Sequence, residues 1–145
     1  MGTEGADNVR LKRFYHNVYG VFQLTEDWGL IAGFDYGTQQ KTKASDDVNE
    51  VLSPVIIAQY KIADQWKVAG RVEYYQDRNG VIITTDMPNG FKTTGYSLNL
   101  DYAPVSNAVV RLEGKLYDSK DKIFIRNDKS VNQNAAITTS IAISF

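Results

Sequence analysis

The chain has no cysteine among its 145 residues, which excludes disulfides, thiolate metal sites and thiol nucleophiles. It has one histidine, His16, and no strand-to-helix nucleophile elbow. His16 is therefore expected to be a strand-end residue and not a catalyst. Neither sign of charge dominates: 16 Lys and Arg against 17 Asp and Glu leave a formal charge of −1, without the basic footprint of a nucleic-acid binder. No apolar run approaches the roughly 20 residues a membrane helix needs; the best short run is Val55-Ile56-Ile57-Ala58. The opening MGTEGADNVR lacks both the basic and the apolar region of a signal peptide. That points to a removed leader or to a start inside a longer protein.

What the chain does have is alternation. With 43% hydrophobic and 12% aromatic residues it is rich enough to bury surface, and its apolar residues recur with period two. Strands are expected at about 10 to 24, 28 to 40, 50 to 62, 66 to 77, 93 to 103, 107 to 119 and 134 to 145, with no sustained helical period. Residues 1 to 9 lack an alternating apolar set and read as a loop. The connections alternate in length: 25 to 27, 63 to 65 and 104 to 106 are tight, whereas 41 to 49, 78 to 92 and 120 to 133 are long and polar. Within 78 to 92, the dipeptides Asn79-Gly80 and Asn89-Gly90 flank Val81 to Thr85, and both are hairpin-turn signals. That run is too short to cross a bilayer as a strand and reads as an extra hairpin in an outer loop. A mean hydropathy of −0.34 does not oppose a membrane barrel, whose strands are apolar only at alternate positions.

Parity assigns the faces, because residues two apart in a strand point the same way. Trp28, Leu30, Ala32, Phe34 and Tyr36 share one side of the second strand; Trp66, Val68, Val72 and Tyr74 share one side of the fourth. Tyr96, Leu98, Leu100 and Tyr102, then Val110, Leu112 and Leu116, continue this apolar face. Trp28 and Trp66 directly follow tight turns, and each has a Tyr eight residues on, Tyr36 and Tyr74. Eight residues at ~3.3 Å rise give roughly 20 Å of height at a tilt of around 40°, the separation of two aromatic girdles. Trp28, Tyr36, Trp66, Tyr74, Tyr102 and Phe145 are the expected girdle. On the opposite parity lie Arg71, Glu73, Asp101, Arg111, Glu113 and Lys115. A charge on the lipid side would cost about 2–4 kcal/mol near the midplane for Arg or Lys, so this face is expected to turn inward.

The last eleven residues, AAITTSIAISF, alternate Ala135, Ile137, Thr139, Ile141, Ile143 and Phe145 against a small polar face. The segment resembles the C-terminal strand of bacterial outer-membrane barrels. The resemblance implies that the assembly machinery reads this strand and its terminal Phe145.

Chemistry-bearing clusters are sparse. Asp46-Asp47-Val48-Asn49-Glu50 and the stretch Asp118 to Asp128 could offer oxygen ligands to calcium. Neither matches an EF-hand loop, and Lys120, Lys122, Arg126 and Lys129 oppose a cation, so solvated loops are expected, with no metal and no cofactor. The units Arg71-Val72-Glu73 and Arg111-Leu112-Glu113 read either as a pore lining of mixed charge or as an internal salt-bridge ladder.

Those units carry a closer likeness. WKVAGRVEYYQDRNG at 66 to 80, TTGYSLNLDYAP at 93 to 104, NAVVRLEGKLYDS at 107 to 119 and the terminal strand resemble the last third of OmpL-like β-barrel porins. Asp77 to Gly80 and Tyr102 to Pro104 match that family's turns. The resemblance implies a bacterial outer-membrane porin that passes small solutes by diffusion, in contact with outer-membrane lipid, of which this chain would be a C-terminal portion. Strand parity points the same way, since single-chain bacterial barrels have even strand numbers and seven are legible. The expected fold is thus all-β, a transmembrane antiparallel up-and-down barrel section. Two rivals remain: a soluble lipocalin-like barrel holding an apolar ligand, and an outer-membrane barrel with a structural or adhesive role.

Overall fold

The computed structural model describes residues 2–4, 10–43 and 45–145. Seven long strands run in sequence: β2 (Leu11–Gln23), β3 (Trp28–Gln40), β4 (Val48–Ala63), β5 (Trp66–Asp77), β6 (Phe91–Val105), β7 (Ala108–Asp118) and β10 (Gln133–Ile143). Three short ones accompany them: β1 (Gly2–Glu4), β8 (Phe124–Arg126) and β9 (Lys129–Val131). Each long strand pairs antiparallel with the next, giving the sheet order β1-β2-β3-β4-β5-β6-β7-β10, while β8 and β9 form a separate hairpin. Among the described residues there is no helix, and no ladder joins the two ends of the sheet. The sheet is an open, all-antiparallel meander, as a section of a barrel is.

The long strands begin and end within two residues of the expected ranges. Three local expectations are corrected. Gly2–Glu4, expected in a loop, pairs with Leu11–Arg13 as β1; the rest of the expected loop, residues 1 and 5 to 9, lies outside the described residues. Hence β2 is not a bare edge, although only its first three residues are covered. The extra hairpin expected at 78 to 92 does not form, and the hairpin arises instead in the next long connection, at β8–β9. Its turn residues Asn127 and Asp128 both have positive φ, 50° and 61°, as a two-residue hairpin turn matching strand twist requires. Third, β10 stops at Ile143; Ser144 is held by Asn107 through bonds of 3.0 and 3.1 Å.

Tight turns at one edge fix the register. Thr25 Oγ1 accepts the N–H groups of Asp27 and Trp28, a local side-chain substitute for ladder bonds, and launches β3 at Trp28. Asp64-Gln65 joins β4 to β5, and Ser106-Asn107 joins β6 to β7 after an irregularity between Tyr102 and Val105. Pro104 sits in that irregularity, where a missing N–H is tolerated.

The register also shows stagger. One ladder row runs Gly33, Val55, Glu73, Gly95, Tyr117. Along that row, Gly33 is five residues past the start of β3, Glu73 seven past the start of β5, and Tyr117 nine past the start of β7. The turn edge therefore steps by two residues for every two strands. At ~3.3 Å per residue and ~4.8 Å between strands, this is a tilt of about 35°, within the range of closed barrels.

Candidate functional site

Register places the two sets of side chains named above on opposite faces. One row of the outer face runs Phe22, Leu30, Ala58, Gly70, Leu98, Gly114, Ile137; its Leu30, Ala58 and Gly70 are half-buried, whereas Phe22 is 50% exposed, Leu98 63% and Ile137 81%. Arg71, Glu73, Asp101, Arg111, Glu113 and Lys115 all fall on the inner face. There the carboxylates are sheltered, with Asp101, Glu113 and Glu73 side chains 17%, 18% and 22% exposed.

Glycines reveal which way the sheet curls. A Cβ added at Gly95 on the inner face would meet Glu73 and Tyr117 at 2.8 Å, and one at Gly33 would meet Val55 at 3.0 Å. On the outer face a Cβ at Gly70 or Gly114 would meet nothing within 4 Å, and one at Gly20 would meet only the Phe22 ring of its own strand, at 2.6 Å, and no neighbouring strand. Neighbouring side chains converge over the inner face and diverge over the outer one.

The two Arg-x-Glu units pair differently. Arg71 pairs with Glu73 on its own strand, but Arg111 turns away from Glu113 to Asp101 on β6, with both bonds at 2.7 Å. Glu113 takes Lys115 instead, at 3.5 Å. Asp101 and Arg111 are ladder partners whereas residues two apart along a strand are farther separated, so the cross-strand fork has the better geometry. Lys67 shares their row, making Lys67, Asp101 and Arg111 a net cationic rim near the turn edge. Lys67 has the parity of the charged face, but only register shows that it faces Asp101.

The inner face is not uniformly polar. On β2 to β4 it presents Tyr19, Val21, Ile31, Val51, Val55 and Ile57 beside Arg13, Asn17, Asp35 and Gln39, so apolar and polar groups share that wall, while most of the formal charge gathers on β5 to β7. The outer face has its own zoning. Trp28 packs on Tyr60 with ring centroids 4.7 Å apart, and Trp66 on Tyr102 at 4.5 Å, both pairs near the tight-turn edge. Tyr36 and Tyr74 lie near the other edge, where their hydroxyls donate to Glu50 and Gln76. The outer-face charges Lys12, Glu50, Lys92 and Asp118 lie at or beyond these two tyrosines in the ladder. Phe145 lies past the end of β10 and is fully exposed. His16 lies within β2 and not at its end, opposite Tyr36 on the outer face.

Asp77 organises the long connection that follows β5. Its carboxylate, 0% exposed, accepts the N–H groups of Val81, Ile82 and Ile83 at 2.7–2.9 Å. Three donors on one carboxylate replace the hairpin that Asn79-Gly80 signals. Gly80 and Gly90 have φ of +63° and +65°, and a Cβ at Gly90 would strike the Arg78 carbonyl oxygen at 2.3 Å. The segment folds over the inner face, where Ile83 meets Tyr75 and Phe91 at a cavity of 360 Å³. The acidic stretches are spent locally: Asp47 pairs with Lys41 at 3.6 Å, and Asp121 accepts from Asn89 at 3.3 Å. Among the described residues no three His, Asp or Glu side chains gather as a metal site.

No curated protein and no solved structure matches the chain. A family model, described as beta-barrel porin-2, OmpL-like, matches residues 1–145, the whole chain. An open antiparallel meander with barrel-like tilt, apolar outside and charged inside, thus has its family: the chain belongs to the OmpL-like beta-barrel porins.

Proposed function

We propose that the chain forms part of the wall of a bacterial outer-membrane porin through which small solutes diffuse, and that it performs no covalent chemistry. The observation that carries this reading is the zoning of the outer face. A band of exposed apolar side chains, including Phe34, Val72, Leu98, Leu112 and Ile141, lies between the tryptophan pairs and the Tyr36–Tyr74 level, and strand charges on that face occur only at the far border. Water penalises an exposed apolar band of this extent, whereas hydrocarbon solvates it and expels charge. A lipocalin-like barrel would need the same residues packed inside.

On this reading the tight turns face the periplasm and the long connections face outward. Outer-membrane lipid covers the apolar band, and Arg71, Glu73, Asp101, Arg111, Glu113 and Lys115 line the solute path. The assembly machinery engages the last strand, with Phe145 beside it. The free edges of β2 and β10 are completed by further strands, because an exposed strand edge is a template for aggregation.

Reconstitution tests the reading. The full-length protein folded in detergent should give stepwise, ohmic conductance in planar bilayers and should swell liposomes in isotonic small sugar. A detergent-folded, heat-resistant protein that gives neither would be a structural or adhesive barrel. Solubility of the chain without detergent would remove the membrane assignment altogether.

A further inference from the structure

The inner-face cavity is built from two aromatic pairs and a few polar groups. Tyr75 meets Phe91 edge-on, with centroids 5.7 Å apart at 76°, and Tyr117 meets Phe124 of the β8–β9 hairpin at 6.4 Å, tilted by 40°. These rings, with Ile83 from the segment clasped by Asp77, supply the apolar walls. Ser53, Asn134 and the Glu73 carboxylate supply the polar ones. The Tyr75 hydroxyl is buried without a hydrogen-bond partner, and a buried hydroxyl left in that state is costly. It lies too deep to be reached from the cavity, so the ring and not the hydroxyl is what Tyr75 offers a ligand.

Chemistry narrows the ligand. Glu73 is the one ionised group among the lining residues and already holds Arg71, so the site is close to neutral. An organic cation would compete with Arg71 for Glu73, and an anion would face the carboxylate. A neutral pyranose ring satisfies both kinds of wall: its C–H face lies against aromatic rings while its hydroxyls reach Glu73, Ser53 and Asn134. A cavity of 360 Å³ falls at the small end of ligand sites, suited to one or two sugar rings. We propose that this cavity is a subsite for a neutral sugar ring on solutes passing along the inner face. The proposal rests on the porin reading for the route by which solute arrives, but not for the binding itself.

The test is equilibrium binding to the detergent-solubilised full-length protein, followed by saturation-transfer NMR and titration calorimetry, with maltose, cellobiose and lactose as probes and choline as the cationic control. At least one disaccharide should bind and choline should not. Tyr75→Leu should weaken that disaccharide about fivefold or more, because it removes one ring of the apolar wall. Phe124→Leu, on the exposed hairpin, should weaken it as well without affecting assembly. Binding of choline in place of sugar, failure of all three disaccharides, or unchanged affinity in both variants would each overturn the proposal. A protein that binds sugar but does not conduct keeps the site and loses the porin reading. One that conducts but binds no sugar loses only the site.

Discussion

Arg111 reaches across from β7 to Asp101 on β6 and grips it with two parallel bonds, Nε to Oδ1 and Nη2 to Oδ2, each 2.7 Å. The pair joins ladder partners, so it ties adjacent strands rather than residues of one strand. With the Arg111 side chain 47% exposed, solvent screening keeps its worth modest. A double-mutant cycle with Asp101→Asn and Arg111→Gln, read by denaturant unfolding in detergent, should give a coupling of about 0.5–1 kcal/mol. A coupling indistinguishable from zero would mean that the fork does not hold the wall together.

Charge on the inner face should tune ion preference more than stability. Replacing Arg71 and Arg111 together with Gln should move the reversal potential in planar bilayers toward cation preference, and replacing Glu73 and Glu113 with Gln should move it the other way. Unchanged preference in both conducting double variants would place these residues off the ion path. Failure of both to assemble would assign them to the salt bridges of the wall.

Adjacent residues provide a test of orientation. Leu98 and Ser97 sit at the middle of β6 on opposite faces. Leu98→Arg should cost about 2–4 kcal/mol of folding into lipid, seen as lost heat-modifiable protein, whereas Ser97→Arg should assemble. Equal tolerance of the two would show that the outer face does not meet hydrocarbon.

The clasp at Asp77 predicts a local effect. Asp77→Ala leaves the N–H groups of Val81, Ile82 and Ile83 without their acceptor, a loss of about 1–3 kcal/mol for a buried group. Amide hydrogen exchange there should accelerate roughly tenfold or more, since each ~1.4 kcal/mol is a factor of ten. Exchange in the middle of β5 and β6 should stay as it was. Uniform acceleration throughout would make Asp77 a residue of global stability and not the anchor of this segment.

Period-two alternation by itself placed the seven long strands, because a strand alternates its side chains between faces whatever lies around it. The same alternation put Leu98 and Arg71 on opposite parities, and turn residues next to Trp28 and Trp66 marked one edge. Tertiary structure decided what alternation cannot encode. Partner choice in the charge network depends on cross-strand register, so Arg111 holding Asp101 and not Glu113 was invisible along the chain. The Asn79-Gly80 hairpin lost because the buried carboxylate of Asp77 offers three backbone donors a better partner than a short ladder would. The mixed inner wall of β2 to β4 and the aromatic cavity at Tyr75 arise only when strands from Val21 to Asn134 and the folded-over connections share one curved face. The tilt of its strands comes from a step of two residues for every two strands, summed across the sheet, and no single segment contains it.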